Sequence, residues 1–160
     1  MIFVTVGSQM PFDRLIIGVA EWAAAQPAPP DVLAQVGDTE LRPAELRAVR
    51  SLSPEEFRMA VSEAEVIVAH AGMGSVLTAM EFGKPLVVLP RKGALRETRN
   101  DHQIATARWL AAKEGVFVAL EDSDLASAID RARASTRTTL QISSHASAEL
   151  VDALRIFILS

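Results

Sequence analysis

Short runs of apolar, largely β-branched residues return along this chain, and most stop at a glycine or a small polar residue before a helix-spaced pattern begins. Ile2, Phe3, Val4, Thr5 and Val6 run into Gly7-Ser8. Leu15, Ile16, Val19 and Trp22 then recur at helical spacing as far as the breaker cluster Gln26-Pro27-Ala28-Pro29-Pro30. Residues 66–69, 86–89 and 116–119 repeat the strand signal, and residues 75–82, 101–113 and 122–133 repeat the helix signal. A second strand is expected over 32–36, stopped by Gly37-Asp38, and a third, with poor alternation, around 47–52. Strands that are apolar on both faces and alternate with helices call for a mainly parallel sheet covered on both sides. The expected fold class is therefore α/β, a Rossmann-like doubly wound domain.

Helix boundaries are legible in places. Ser53-Pro54-Glu55-Glu56 combines a hydroxyl N-cap, proline at the first helical position and a carboxylate placed to bond back to the cap. Asp122 or Ser123 is the expected cap of the helix over 122–133, and Asn100 or Asp101 that of the helix over 101–113. Residues 135–147 are polar and rich in Ser and Thr, and a last helix is expected over 148–158. Its apolar end, Ile156-Phe157-Ile158-Leu159, either packs on the chain's own core or docks on another subunit. No solenoid-period repeat or low-complexity linker divides the 160 residues, so a single domain spanning 1–160 is expected.

Composition narrows the function classes. Hydrophobic residues at 49% and charged residues at 22% fit a globular chain. No apolar run approaches the ~20 residues that cross a bilayer, and the start lacks the basic region of a secretion signal, so a cytoplasmic location is expected. Without cysteine there is no disulfide, thiolate metal site or thiol nucleophile. A net charge of −4 argues against a nucleic-acid partner.

In an open parallel sheet, ligands bind beyond the carboxyl ends of the strands. Three polar segments should gather there: Gly7-Ser8-Gln9, His70-Ala71-Gly72-Met73-Gly74-Ser75 and Pro90-Arg91-Lys92-Gly93. Two glycines between a strand and a helix let backbone approach a ligand and leave N–H groups free at the positive end of the helix, which suits phosphate. Taken alone, the segment fits a tight turn without ligand equally well. It is not a dinucleotide fingerprint, since position 77 is Leu, and no lysine follows as in a Walker loop. Ser75 lacks the following glycine of a nucleophile elbow, and His70, His102 and His145 lack the spacing and acidic companions of a zinc site, so no metal is expected. His70 either touches a phosphate or ribose or caps a turn. Arg91, Lys92, Arg96 and Arg99, followed by Asn100-Asp101-His102-Gln103, form either a solvated loop with a helix cap or a rim suited to sugar hydroxyls.

The order and spacing of several stretches resemble the glycosyltransferase family 28 C-terminal domain, the nucleotide-sugar half of GT-B enzymes such as MurG. Those stretches are residues 3–15, His70-Ala71-Gly72-Met73-Gly74-Ser75, Gly83-Lys84-Pro85, Pro90-Arg91 and Asn100-Asp101-His102-Gln103. They look most similar to single-domain subunits of split enzymes, namely the eukaryotic dolichol-linked GlcNAc transferase and PssE-like exopolysaccharide transferases. The resemblance implies one half of a GT-B fold and inverting transfer of a hexose from a UDP-sugar to a lipid-linked acceptor. It places Gly7, Ser8 and Gln9 near the phosphates, His70, Gly72, Met73, Gly74 and Ser75 on the diphosphate, and Asp101, His102 and Gln103 toward the sugar. Many relatives carry a ribose-gripping Glu where this chain has Thr78; a hydroxyl there still bonds ribose, and Glu81 lies one turn on. Arg91 would suit a glucuronate carboxylate. The resemblance implies no cofactor beyond the donor. It also implies a membrane-associated, PssD-like partner that supplies the acceptor side and the general base and brings the chain to the inner face of the membrane. A non-catalytic nucleotide-binding module and an epimerase fragment are the competing readings.

Overall fold

The computed structural model describes residues 1–8, 10–99 and 101–135. Gln9, Asn100, His145 and the expected last helix lie outside the described residues. Six strands, β1 (Ile2–Thr5), β2 (Val32–Gln35), β3 (Arg47–Val49), β4 (Val66–Ala69), β5 (Leu86–Val88) and β6 (Val116–Val118), form one sheet in the order β3-β2-β1-β4-β5-β6. Every pairing is parallel. The weak third strand is real but short, and it sits at the edge. The central strands β1 and β4 are buried at every position, as the continuous apolar runs require.

The helices are α1 (Asp13–Ala24), α2 (Pro54–Glu63), α3 (Met73–Glu81), α4 (His102–Leu110) and α5 (Leu125–Ala134). Two cores divide them by face. Ile2, Val4, Val68 and Val87 pack against α1 and α5 through Leu15, Ile16, Val19, Leu125 and Ile129. Phe3, Ile67, Leu86 and Val88 pack against α2, α3 and α4 through Val61, Val76, Met80 and Leu110. Strand residues alternate between these layers because side chains on a strand alternate faces. Burying one such Leu, Ile or Phe stabilises the fold by about 1.5–3 kcal/mol. Phe57 adds an edge-to-face contact to Phe3, with ring centroids 5.3 Å apart.

Several helix starts differ in detail from expectation. The capping box at α2 is present in both directions: Glu56 N donates to Ser53 Oγ at 3.3 Å, and Ser53 N donates to Glu56 Oε2 at 2.7 Å. The bond from the Ser53 backbone, and then the Ser53 hydroxyl, favour the carboxylate and hold Glu56 below its usual pKa. In contrast, residues 122–124 form a 3-10 turn capped by Glu121, whose backbone N–H donates to Asp124, and the α-helix starts only at Leu125. Neither Asp122 nor Ser123 is the cap, because Asp122 is drawn instead to Arg14. Helix α3 begins at Met73, two residues before the expected 75, so Gly74 is helical rather than part of the turn. Among the described residues no helix is long and apolar enough to cross a membrane.

Candidate functional site

Strand order reverses between β1 and β4, and ligand clefts of open α/β sheets form at that point. A cleft of about 740 Å³ opens there. Gly7 and Ser8 after β1, His70, Gly72, Gly74 and Ser75 after β4, Arg91 after β5, and His102 and Gln103 in the first turn of α4 all line it. Thus the three segments singled out in the sequence converge. Met73, Thr78 and Asp101 are not among the residues that line it.

The floor is a packed imidazole. A Cβ on Gly72 would lie 2.1 Å from His70 Nε2, and one on Gly7 would lie 2.6 Å from Cε1. Both positions therefore need glycine while His70 occupies the space between them. Gly7 needs it doubly, because its φ of +80° is left-handed. His70 Nδ1 is the one buried side-chain polar atom without a hydrogen-bond partner among the described residues. Burial, and then the nearby Arg91 charge, push the His70 pKa down to about 4, the Thr5 backbone working weakly the other way. The ring is neutral at physiological pH.

The wall above it is the start of α3. Its N-cap, Gly72, has no side chain to accept from the first turn, and the first helical bond runs from Val76 N to Gly72 O. The N–H groups of Met73, Gly74 and Ser75 therefore have no acceptor within the helix, and they sit at its positive end. A Cβ on Gly74 would meet nothing within 4 Å, so the space beside that turn is open. Thr78 does not complete this wall: its hydroxyl donates to Gly74 O at 2.9 Å, one turn back along the helix. Glu81 makes a two-point bond to Arg58 on α2, at 2.9 and 3.2 Å.

The opposite wall is tied down. The Arg91 side chain is buried, and its guanidinium donates to four carbonyls: Val6 O at 2.8 Å, Met10 O at 2.6 Å, Pro11 O at 2.6 Å and Glu97 O at 3.1 Å. Its charge lies 4.7 Å from the Phe12 ring centroid, and Arg14 stacks on the same ring at 5.1 Å. Burial lowers the Arg91 pKa, Glu97 opposing and Arg14 adding to the effect. Arg14 in turn holds Glu97 bidentately at 2.8 Å through Nε and one terminal nitrogen, and reaches Pro90 O and Asp122. Glu97 Oε2 also accepts from Lys92 N at 2.9 Å. This arrangement corrects the picture of Arg91 as a cation held out to a sugar carboxylate. The guanidinium laces the loop after β1 to the loop after β5.

Gln103 shares in this tie. Its Oε1 accepts from Arg91 N at 3.1 Å, which leaves Nε2 as the amide's remaining donor group on the cleft-lining side chain. Asp101 stands at the N-cap position of α4 but makes no capping bond, accepting from Gly93 N at 2.8 Å instead. His102 is exposed at the first turn of α4 and lines the cleft, as does Arg99. No hydrogen bond or ion pair engages Arg99 among the described residues, so it is the guanidinium open to a ligand.

Arg14, Glu97 and Phe12 were not singled out as site residues from the sequence. Each touches a partner on a distant segment, and only Phe12-Asp13-Arg14, within the stretch of residues 3–15, carried a trace of them.

The family model of the glycosyltransferase family 28 C-terminal domain matches residues 1–154. No curated protein matches the sequence. Among solved structures, the chain is similar to ALG13 at 18% identity and TM-score 0.61, covering 100% of this chain and 97% of that one. It is similar to MurG of Acinetobacter baumannii at 19% identity and TM-score 0.58, covering 96% of this chain and 49% of that one. The spinosyn forosaminyltransferase SpnP shares 16% identity at TM-score 0.66, covering 99% and 44%. The kitacinnamycin glycotransferase shares 18% identity at TM-score 0.63, with 84% of this chain spanning only 35% of it. The chain thus spans less than half of MurG, SpnP and the kitacinnamycin enzyme. The fold is one half of a GT-B glycosyltransferase, and the chain belongs to the glycosyltransferase family 28 C-terminal domain family.

Proposed function

We propose that this chain is the UDP-sugar-binding subunit of a two-component inverting glycosyltransferase that moves a hexose to a lipid-linked acceptor. The observation that carries the reading is the uncapped start of α3. Three backbone N–H groups without helical acceptors stand at the start of α3, where Gly74 borders open space and Gly72, Gly74 and Ser75 line the cleft together with a neutral His70. A diphosphate bound there gains hydrogen bonds from these amides and the favourable end of the helix dipole, with Arg99 as a further positive group at the rim. Gln103 Nε2 and His102 lie across the cleft, where sugar hydroxyls would stand.

In the proposed step the acceptor hydroxyl oxygen bonds to the anomeric carbon as the bond from that carbon to the β-phosphate oxygen breaks. UDP leaves with the electron pair, and the amides of α3 stabilise the charge that develops on it. The hydroxyl proton goes to a base on an acceptor-binding partner, which would also hold this chain at the membrane. The similarity to ALG13, covering 97% of that chain, supports the subunit reading.

With Arg91 tied to four carbonyls, Arg99 is the cleft-lining guanidinium that would meet a glucuronate carboxylate. Calorimetry against UDP, UDP-glucose, UDP-GlcNAc and UDP-glucuronate tests the donor reading. Binding of UDP that is lost in Gly74→Leu, with the fold retained, is the expected result; absence of binding by any of the four would end it. Transfer should be very low for the chain alone and appear on co-expression with a partner. Loss of that transfer in Gln103→Ala and His70→Ala distinguishes an enzyme subunit from a passive nucleotide binder.

A further inference from the structure

A second, smaller pocket of about 260 Å³ lies beside the first, over the carboxyl ends of β1, β2 and β3. Gly7, Ser8 and Met10 border both pockets, so the loop after β1 is a shared wall. The far side is built by Gln35, Asp38, Arg50, Ser51 and Leu52.

Gln35 is the informative residue. Its side chain is more than nine-tenths buried, an unfavourable place for an amide unless its groups are paired. A short relay fixes its orientation: Gly7 N donates to Thr5 Oγ1 at 3.1 Å, and Thr5 Oγ1 donates onward to Gln35 Oε1 at 2.9 Å. With the oxygen facing Thr5, Nε2 points the other way, and it has no partner among the described residues. Nε2 is not among the buried unpaired atoms, so it keeps contact with solvent, and the solvent next to Gln35 is that of this pocket.

The rest of the lining has a mixed chemistry. Ser8 and Ser51 can both donate and accept, and the exposed Asp38–Arg50 ion pair places an acceptor and donors side by side at the mouth. Leu52 and Met10 provide apolar surface beside them. Donors and acceptors around a small apolar patch fit the hydroxyls and the C–H face of a sugar ring. A site for a free anion would be expected to present cations without a carboxylate at their side.

The geometry points to a carbohydrate subsite on this chain for the acceptor, in which Gln35 Nε2 holds a hydroxyl of the acceptor sugar one loop away from the donor cleft. The inference rests on the reading of the first cleft as the donor site. It assigns to this chain part of the acceptor recognition that would otherwise fall wholly to a partner.

The test is an amide map of the ¹⁵N-labelled full chain, titrated first with UDP and then, with UDP saturating, with methyl β-D-glucopyranoside and methyl N-acetyl-β-D-glucosaminide. UDP is expected to move the amides of Met73, Gly74 and Ser75. At least one glycoside should then move the Gln35 side-chain amide and the backbone amides of Gly37, Asp38 and Ser51, saturably. Gln35→Met keeps the length of the side chain and removes the amide that would hold the hydroxyl; it should weaken glycoside binding about tenfold, roughly what loss of one hydrogen bond implies. Ser51→Ala, at an exposed position, should weaken it about threefold and covers the case in which the Met variant does not fold.

The subsite is overturned if glycoside shifts stay within the donor cleft, if neither glycoside moves the Gln35 side chain, or if both variants bind as the parent does. It is also overturned if inorganic pyrophosphate moves these amides and the glycosides do not. Failure of the donor reading looks different: UDP then leaves Met73, Gly74 and Ser75 unmoved, whatever the glycosides do.

Discussion

The turn after β4 and the loop after β5 line one cleft, and they use their polar groups in opposite ways. The first leaves backbone N–H groups without helical acceptors, carries glycine where a side chain would fill the space, and holds a neutral ring beneath. The second commits a buried guanidinium, a carboxylate and an amide oxygen to internal bonds. Charge in the sequence is therefore a poor guide to where a ligand sits. The more basic segment is largely scaffold, while the segment with few side-chain polar groups is the more available to an anion.

Substitutions on either side should separate stability from binding. The largest effect is expected from Arg91→Ala, which strands several carbonyls and opens a void beside Phe12. It should cost about 3–5 kcal/mol in chemical denaturation, with UDP affinity of the folded fraction nearly unchanged. A large loss of affinity without loss of stability would break the contrast.

Next comes the pH response of His70. Its folded pKa is depressed below the unfolded value, so the stability it confers is fully present above about pH 6.5 and is lost as pH falls toward about 4. The loss should reach about 3 kcal/mol across that window. His70→Asn, which cannot take up the proton, should flatten that part of the profile in urea unfolding followed by circular dichroism.

Gly74→Ala sharpens the comparison from the other side. Its Cβ enters open space within a helix, so stability should rise by up to about 1 kcal/mol. UDP binding should fall at least tenfold in the same sample. Smallest of all, Thr78→Ala removes one hydroxyl bonded to its own helix. It should change stability by under about 0.5 kcal/mol and leave the calorimetric affinity for UDP where it was; a marked loss would return Thr78 to the ribose contacts.

The sheet and the convergence of the three loops were legible in the sequence because parallel strands must be apolar on both faces and must end in turns at one edge. Residues 2–6 and 66–69 announce β1 and β4, and Gly7 and Gly72 announce their ends. What the sequence hid was long-range. Arg91 and Val6 are far apart along the chain, and no local pattern shows that one is laced to the other. The same holds for Arg14 with Glu97. Helix α3 hid its first turn because glycine at 74 reads as a breaker, whereas here it sits inside the first turn of the helix, beside open space. Thr78 and Glu81 were placed on the correct helix, but α3 turns one hydroxyl onto its own backbone and the carboxylate toward α2.

The imidazole wedged between Gly7 and Gly72 also orders the steps by which this floor can change. With the ring in place, alanine at 72 collides with Nε2. A chain that first exchanges His70 for a small residue frees position 72, whose backbone is ordinary, but frees position 7 only in part, since its φ of +80° persists. Sterics thus couple drift at these positions, with the histidine as a latch that must be replaced or turned aside before a side chain fits at 72.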